Sequence, residues 1–431
     1  MYLKEENKVG YLVAIIIIFT GLLMKKRCNS MVAPEVLFCF FWGLIALAAS
    51  LKLFGLIEIS MKAWLIILIG TFSYVIGCQF KVTFNSKRQY VPRSNEQFGF
   101  ISESEFWILT MILIVLLARQ LSITLSLLSE GYTMVDIRAG IDTEIMSKMN
   151  SYNEVFLNIK SAFEIVLMAS GIELYFNKAK NNWLYLFVSI FFVLLNSFSD
   201  GGRWIIIYFL VDFVVCYFIY RQENIIENKN KNNNNRIIPL IIVIIIMITM
   251  ISSVTKSRMV GNTLVHFYSY LCCCVPLLDI KTSIIMKQGI ISGGMASQWG
   301  IWSLFVPVLK RIFGVKTAFY DNVAQFAIIG QNNEFIGTGY YNAFVSAFYY
   351  LYVDFRWLGV IFGMIIFGII SRKTYDYALK VSKGGSCVPY LVICQLIIKS
   401  NQNYLLTSSA FIIAFVILIY FWKRRSKIQY K

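Results

Sequence analysis

The sequence predicts an all-α polytopic membrane protein, and three observations predict it. Of 431 residues, 58% are hydrophobic and only 15% charged, and a mean hydropathy of +0.65 lies far from the composition of a soluble domain. The apolar residues are gathered into runs close to the ~20 residues that a helix needs to cross the hydrocarbon core. The Lys and Arg residues are clustered between those runs. A net charge of +17 would point to nucleic acid in a soluble chain, but this clustering makes the basic residues topology signals and contacts for anionic lipid. No nucleic-acid partner is expected.

Eleven runs qualify, within one or two: 9–24, 32–56, 63–80, 106–128, 155–177, 183–199, 204–220, 237–254, 341–371, 387–399 and 402–422. The first leads straight into Lys25, Lys26 and Arg27 without a small-residue cleavage site, so it is expected to stay as a helix. The run 341–371 is too long for one upright span, and its part before Trp357 is expected to be a re-entrant or surface segment. This divides the chain into an N-terminal bundle of about eight helices (1–254), a large loop (255–340) and about three C-terminal helices (341–431).

Loop charge orients the bundle. The segments 25–27, 81–93, 178–180, 221–236, 372–383 and 423–431 carry 22 Lys and Arg. The other short segments carry six: Lys4, Lys8, Lys62, Arg138, Lys148 and Arg203. Positive charge is retained on the cytoplasmic side, so the first set is cytoplasmic, the C-terminus is inside and the loop 255–340 is extracytoplasmic. The inner loops are polar connectors, with Asn232, Asn233, Asn234 and Asn235 in a row, too poor in apolar residues to fold alone. There is no G-x-x-x-x-G-K-[ST] and no G-x-G-x-x-G, which argues against a nucleotide-using activity. The outer loop mixes polar, aromatic and basic residues with amphipathic stretches and is expected to pack on the membrane surface; a smaller outer segment, 130–154, has a similar pattern.

The nine cysteines show no paired spacing, and adjacent Cys272, Cys273 and Cys274 lack the separation a tetrahedral metal site needs. Small apolar filler is the expected role, with no metal and no cofactor.

Candidate chemistry lies on the outer side. In Ser199-Asp200-Gly201-Gly202-Arg203-Trp204, Gly201 and Gly202 bring backbone amides to the surface beside Arg203, an arrangement suited to phosphate or diphosphate. The bland alternative is a loop charge with Trp204 as interfacial anchor. After the eighth run come Lys256 and Arg258, basic residues against the positive-inside bias, which an anionic head group would explain. They are followed by the sole histidine, His266, and by Tyr268 and Tyr270. His266 is a candidate base, with a structural histidine as the competing reading. Outer carboxylates that could deprotonate a hydroxyl include Asp136, Asp142, Glu144, Glu154, Asp200, Asp279, Asp321, Glu334 and Asp354, of which Asp321, Glu334 and Asp354 flank the aromatic run 340–352 that holds Asn342 and Tyr350. Charges inside spans each cost at least about 2.5–3.5 kcal/mol at mid-bilayer. Arg119, Lys160 with Glu164, Asp212 and Lys399 are the cases. Lys160 and Glu164 stand one turn apart and can pair; Arg119 either faces a cavity or snorkels.

Together the Gly-Gly-Arg turn at Asp200–Trp204, the stretch from Lys256 through Tyr270 to Pro276 and Asp279, and Asn342-Ala-Phe-Val-Ser-Ala-Phe-Tyr-Tyr-Leu-Tyr-Val-Asp-Phe-Arg-Trp-Leu-Gly359 resemble the oligosaccharide repeat-unit polymerases, the Wzy-type O-antigen and capsular polysaccharide polymerases. The last segment is similar to the family's aromatic run ending in Asp-Phe-Gly-x-x-Gly, with Arg356 where the family often has Gly. The resemblance implies a bacterial plasma-membrane glycosyltransferase of GT-C-like layout acting on undecaprenyl-diphosphate-linked oligosaccharide at the outer face, in lipopolysaccharide or capsule synthesis. A flippase and a chain-length regulator of the same pathway are its implied partners. In that reading Arg203, Arg258, His266 and Asp354 are catalytic, while Arg119, Gly201, Gly202, Lys256, Tyr268, Tyr270, Asn342 and Tyr350 bind substrate. Three alternatives stay open: an O-antigen ligase, a flippase or transporter of the lipid-linked sugar, and a membrane acyltransferase.

Overall fold

A computed structural model describes residues 3–80, 100–132, 151–177, 182–200, 204–226, 263–313, 318–342, 344–381 and 385–428. Among them the chain is almost entirely helical: α1 (Leu3–Cys28), α2 (Pro34–Ser50), α3 (Met61–Gln79), α4 (Glu103–Ser129), α5 (Ser151–Phe176), α6 (Asn182–Asp200), α7 (Trp204–Ile226), α8 (Thr263–Cys272), α9 (Cys274–Lys287), α10 (Trp299–Phe313), α11 (Ala318–Gln331), α12 (Ser346–Ala378), α13 (Val388–Lys399) and α14 (Ser409–Ile428). A two-stranded antiparallel hairpin, β1 (Glu334–Phe335) with β2 (Tyr340–Tyr341), precedes α12.

Among the described residues seven helices are long and apolar enough to cross a membrane: α1, α3, α4, α5, α6, α7 and α12. A multi-pass membrane protein follows. The run 237–254 lies outside the described residues. Helices α2 and α13 are apolar but short, at 17 and 12 residues. The run expected over 32–56 stops at Ser50 because the backbone turns left-handed at Lys52, Phe54 and Gly55, so Leu53 and Phe54 belong to a turn. The interval expected as a large loop is built instead largely of short helices, and α8 and α9 form a pair bent by 49° that together are apolar enough for one broken span or a re-entrant loop. Cys272, Cys273 and Cys274 sit at that bend, almost wholly buried, as small filler.

The helices group into two compact units. The first contains residues 1–85, 261–375 and 396–409. Its core is aromatic: Phe38 stacks on Tyr74 at 4.0 Å, Trp42 meets Phe348 at 4.6 Å, and the Trp42 indole donates to Ser400 Oγ at 2.9 Å. Close packing of α3 on α12 requires glycine on both sides. A Cβ on Gly77 would fall 2.2 Å from the Ile365 carbonyl oxygen, and one on Gly368 would fall 2.2 Å from that of Tyr74. Glu35, fully buried in the first turn of α2, accepts from Arg372 Nη1 at 3.1 Å and from the Cys28 thiol at 2.9 Å, so Arg372 is a structural partner as well as a topology charge.

The second unit contains residues 86–260, 376–395 and 410–431. Several of its buried polar groups are joined to one another by hydrogen bonds, as interiors favour. The Lys160 ammonium on α5 donates to Gln120 Oε1 on α4 and Asn196 Oδ1 on α6, each at 2.6 Å. These two amides meet the charge from neighbouring helices. Glu173 accepts from Phe100 N at 2.7 Å, Ser386 Oγ at 2.6 Å and Cys387 N at 2.6 Å. Asp212 at mid-α7 accepts from Gln395 Nε2 at 2.6 Å.

Candidate functional site

The first unit holds its most unusual geometry where α12 breaks. Phe355 (φ −143°, ψ 31°) and Arg356 (φ 53°, ψ −132°) leave the helical region, so the helix is two pieces that meet immediately ahead of Trp357. A positive φ suits glycine, and holding a bulky side chain there costs about 1–3 kcal/mol. The chain places arginine in that position, the same position at which the sequence departs from the Asp-Phe-Gly-x-x-Gly pattern. The second glycine of the pattern, Gly359, is present: a Cβ there would fall 2.0 Å from the Leu351 carbonyl oxygen.

The break is held from both sides. Asp354 is 2% exposed, and its carboxylate accepts from Ser292 Oγ, from Ala296 N at 2.9 Å and from Ser297 N at 3.0 Å. Ser292 N in turn donates to the Val353 carbonyl at 3.1 Å. A carboxylate facing successive backbone amides ahead of α10 is stabilised as an anion at a helix start is. It ties the α9–α10 connection to the end of the first piece of α12. On the far side of the break, Arg356 Nη2 donates to the Ile290 carbonyl at 2.8 Å. Its Nη1 is buried with no hydrogen-bond partner among the described residues.

A second cation reaches the same place. The Arg356 guanidinium carbon is 5.5 Å and the Lys62 ammonium 5.9 Å from the centre of the Tyr352 ring, both within cation–π range. Tyr352 is itself locked: its hydroxyl donates to Met286 Sδ at 3.1 Å and Trp357 packs edge-on at 5.8 Å. Lys62 also donates to Ser283 Oγ at 3.1 Å. Asp279, a carboxylate that attracts Lys62, accepts from Ser60 N at 2.7 Å and Ser60 Oγ at 2.5 Å, at the start of α3. Neither Lys62 nor Arg356 forms an ion pair among the described residues.

Arg203, Gly201, Gly202, Lys256 and Arg258 lie outside the described residues. His266 is half-buried on α8. Tyr268 is buried; its hydroxyl donates to the Ala48 carbonyl at 2.8 Å and accepts from Leu53 N at 3.0 Å, joining α8 to the end of α2. Tyr270 is 44% exposed, edge-on to Tyr341 at 5.8 Å and Phe344 at 5.5 Å. Asn342 is exposed beside that aromatic group, and the Tyr350 hydroxyl donates to Asn403 Oδ1 at 3.2 Å. Arg119 belongs to the second unit, exposed on α4 with its guanidinium 4.6 Å from the Phe156 ring centre. Sequence reasoning singled out Asp354 and missed its partners Ser292, Ala296 and Ser297. It also missed the meeting of Lys62 with Arg356. The available signal was Lys62 itself, one of six basic residues set against the charge rule. Among the described residues no cluster of His, Cys, Asp or Glu could hold a metal ion. Comparison of the chain with protein-family models, curated proteins and solved structures finds no match.

Proposed function

We propose that this chain is a membrane-embedded glycosyltransferase that joins undecaprenyl-diphosphate-linked oligosaccharide repeat units into O-antigen or capsular polysaccharide at the outer face of the plasma membrane. In this reading eleven spans leave the C-terminus inside, and 255–340 belongs to the outer side. The observation that supports it best is the break at Phe355–Arg356. It falls within the segment that carries the family resemblance, and the short helices α9 and α10 are pinned to it through Asp354. A helix interrupted where protein covers it is a way to open a lined cavity at membrane depth.

The reaction is displacement at an anomeric carbon. A non-reducing-end hydroxyl of one lipid-linked unit forms the new C–O bond, the bond from that carbon to the diphosphate oxygen breaks, and undecaprenyl diphosphate leaves with the electron pair. Arg203 and Arg258 neutralise the charge that develops on the diphosphate. The hydroxyl proton passes to His266 or to an outer carboxylate. Asp354, whose two oxygens already accept from three donors, acts by holding the α9–α10 connection in place. Deletion of the gene is expected to collapse the surface glycan from a ladder to a single repeat unit on an intact carrier, and Arg203→Ala or Arg258→Ala is expected to do the same with protein still in the membrane. Normal long chains from both variants would overturn the assignment. Loss of all glycan with lipid-linked units trapped inside would make the chain a transporter.

A further inference from the structure

We propose that Lys62 and Arg356 together form a binding site for a phosphate-bearing anion, seated against Tyr352 beside the break in α12. Two like charges against one buried ring repel each other, and the two side chains are close enough to feel it. Bringing two cations together with neither of them in an ion pair costs free energy, most of all where part of the site is out of water. Of the nearby carboxylates, Asp279 attracts Lys62 while accepting from Ser60, and Asp354 accepts from Ser292, Ala296 and Ser297; among the described residues neither forms an ion pair with Lys62 or Arg356.

Arg356 adds two independent signs. Its backbone is held at φ 53°, where glycine would be at ease. Its guanidinium uses one edge on the Ile290 carbonyl while Nη1 stays buried without an acceptor among the described residues, an arrangement that is costly for a charged donor. Strain and an unfilled donor at one residue are features that a bound acceptor would relieve. A guanidinium edge and an ammonium presented together match phosphate oxygens: the fork supplies directional donors and the lysine a mobile point charge. By loop charge Lys62 lies on the non-cytoplasmic side, where basic residues need a reason. Identifying the anion as the diphosphate of the substrate, rather than the head group of an ordinary anionic lipid, rests on the function proposed above.

The test is thermal unfolding of the purified full chain in detergent, titrated separately with inorganic pyrophosphate, phosphatidylglycerol and a short-chain polyprenyl diphosphate. The wild type is expected to be stabilised by the polyprenyl diphosphate. Lys62→Gln and Arg356→Gln are each expected to weaken that binding about tenfold or more, the equivalent of one charged hydrogen bond of about 1.4 kcal/mol. Lys62→Arg is expected to retain it. If Arg356→Gln does not fold, Arg356→Gly, the residue this backbone geometry suits, takes its place. Stabilisation by phosphatidylglycerol alone, lost in the same variants, would keep the anion site and assign it to membrane lipid. Wild-type affinity in both the Lys62 and Arg356 variants would overturn the site. If Arg203→Ala or Arg258→Ala abolishes diphosphate binding while Lys62→Gln and Arg356→Gln keep wild-type affinity, the site falls while the proposed reaction stands. A wild type that polymerises lipid-linked units yet is stabilised by none of the three compounds likewise overturns the site alone.

Discussion

Two kinds of charged residue can be told apart in this protein at the scale of single residues. Asp354 and Lys160 are answered by hydrogen bonds to groups brought from other segments, whereas Lys62 and Arg356 lie against the Tyr352 ring and form no ion pair among the described residues. The answered charges are therefore predicted to govern stability. Asp354→Asn replaces an acceptor with an NH2 group facing backbone amides and is expected to destabilise the fold by about 2–4 kcal/mol, read as a lowered unfolding midpoint; an unchanged midpoint would show that the carboxylate is not holding the α9–α10 connection. Gln120→Leu or Asn196→Leu removes an acceptor from a charge that is 1% exposed and is expected to cost about 3 kcal/mol. That loss should shrink when Lys160→Met is combined with it, a coupling that a double-mutant cycle measures. Little of this was legible in the sequence. Asp354 drew notice as a carboxylate near aromatics, but its donors come from a connection about 60 residues earlier in the chain, and no periodicity links Lys62 to Arg356.

The sequence is most informative at the scale of elements. Long apolar runs became helices because a chain that satisfies its backbone internally in lipid has no other local solution, and excess length in 341–371 pointed to the break that stands at Phe355 and Arg356. The runs that read as longer than they are fail for a different reason. Apolar character continues through Leu53 and Phe54, but it says nothing of backbone direction, and left-handed residues end α2 first. Composition likewise could not distinguish a long surface loop from the bent pair α8–α9 and the short helices that follow. The crossing of α3 on α12 gives a prediction here. Gly77→Ala and Gly368→Ala each drive a Cβ to 2.2 Å from backbone oxygen, where no side chain can yield. Each is expected to cost about 2–3 kcal/mol, and the pair less than the sum because both separate the same two helices. Full folded yield for either variant in a detergent-stability screen would mean that the two helices do not approach so closely.

Among the described residues the chain combines seven membrane-length helices with shorter ones. Loop charge predicts that a cysteine introduced after Ile428 reacts with membrane-impermeant reagent only in inside-out vesicles, whereas one introduced at Glu58 reacts in right-side-out vesicles; reversal of either would invert the proposed topology. The central claim is tested most directly by reconstituting the purified chain in liposomes with undecaprenyl-diphosphate-linked repeat units and no nucleotide. The account predicts a ladder of lengthening lipid-linked glycan, with one undecaprenyl diphosphate released for each unit added and the ladder absent from Arg203→Ala. Lipid-linked units that cross the bilayer unchanged in length would contradict it.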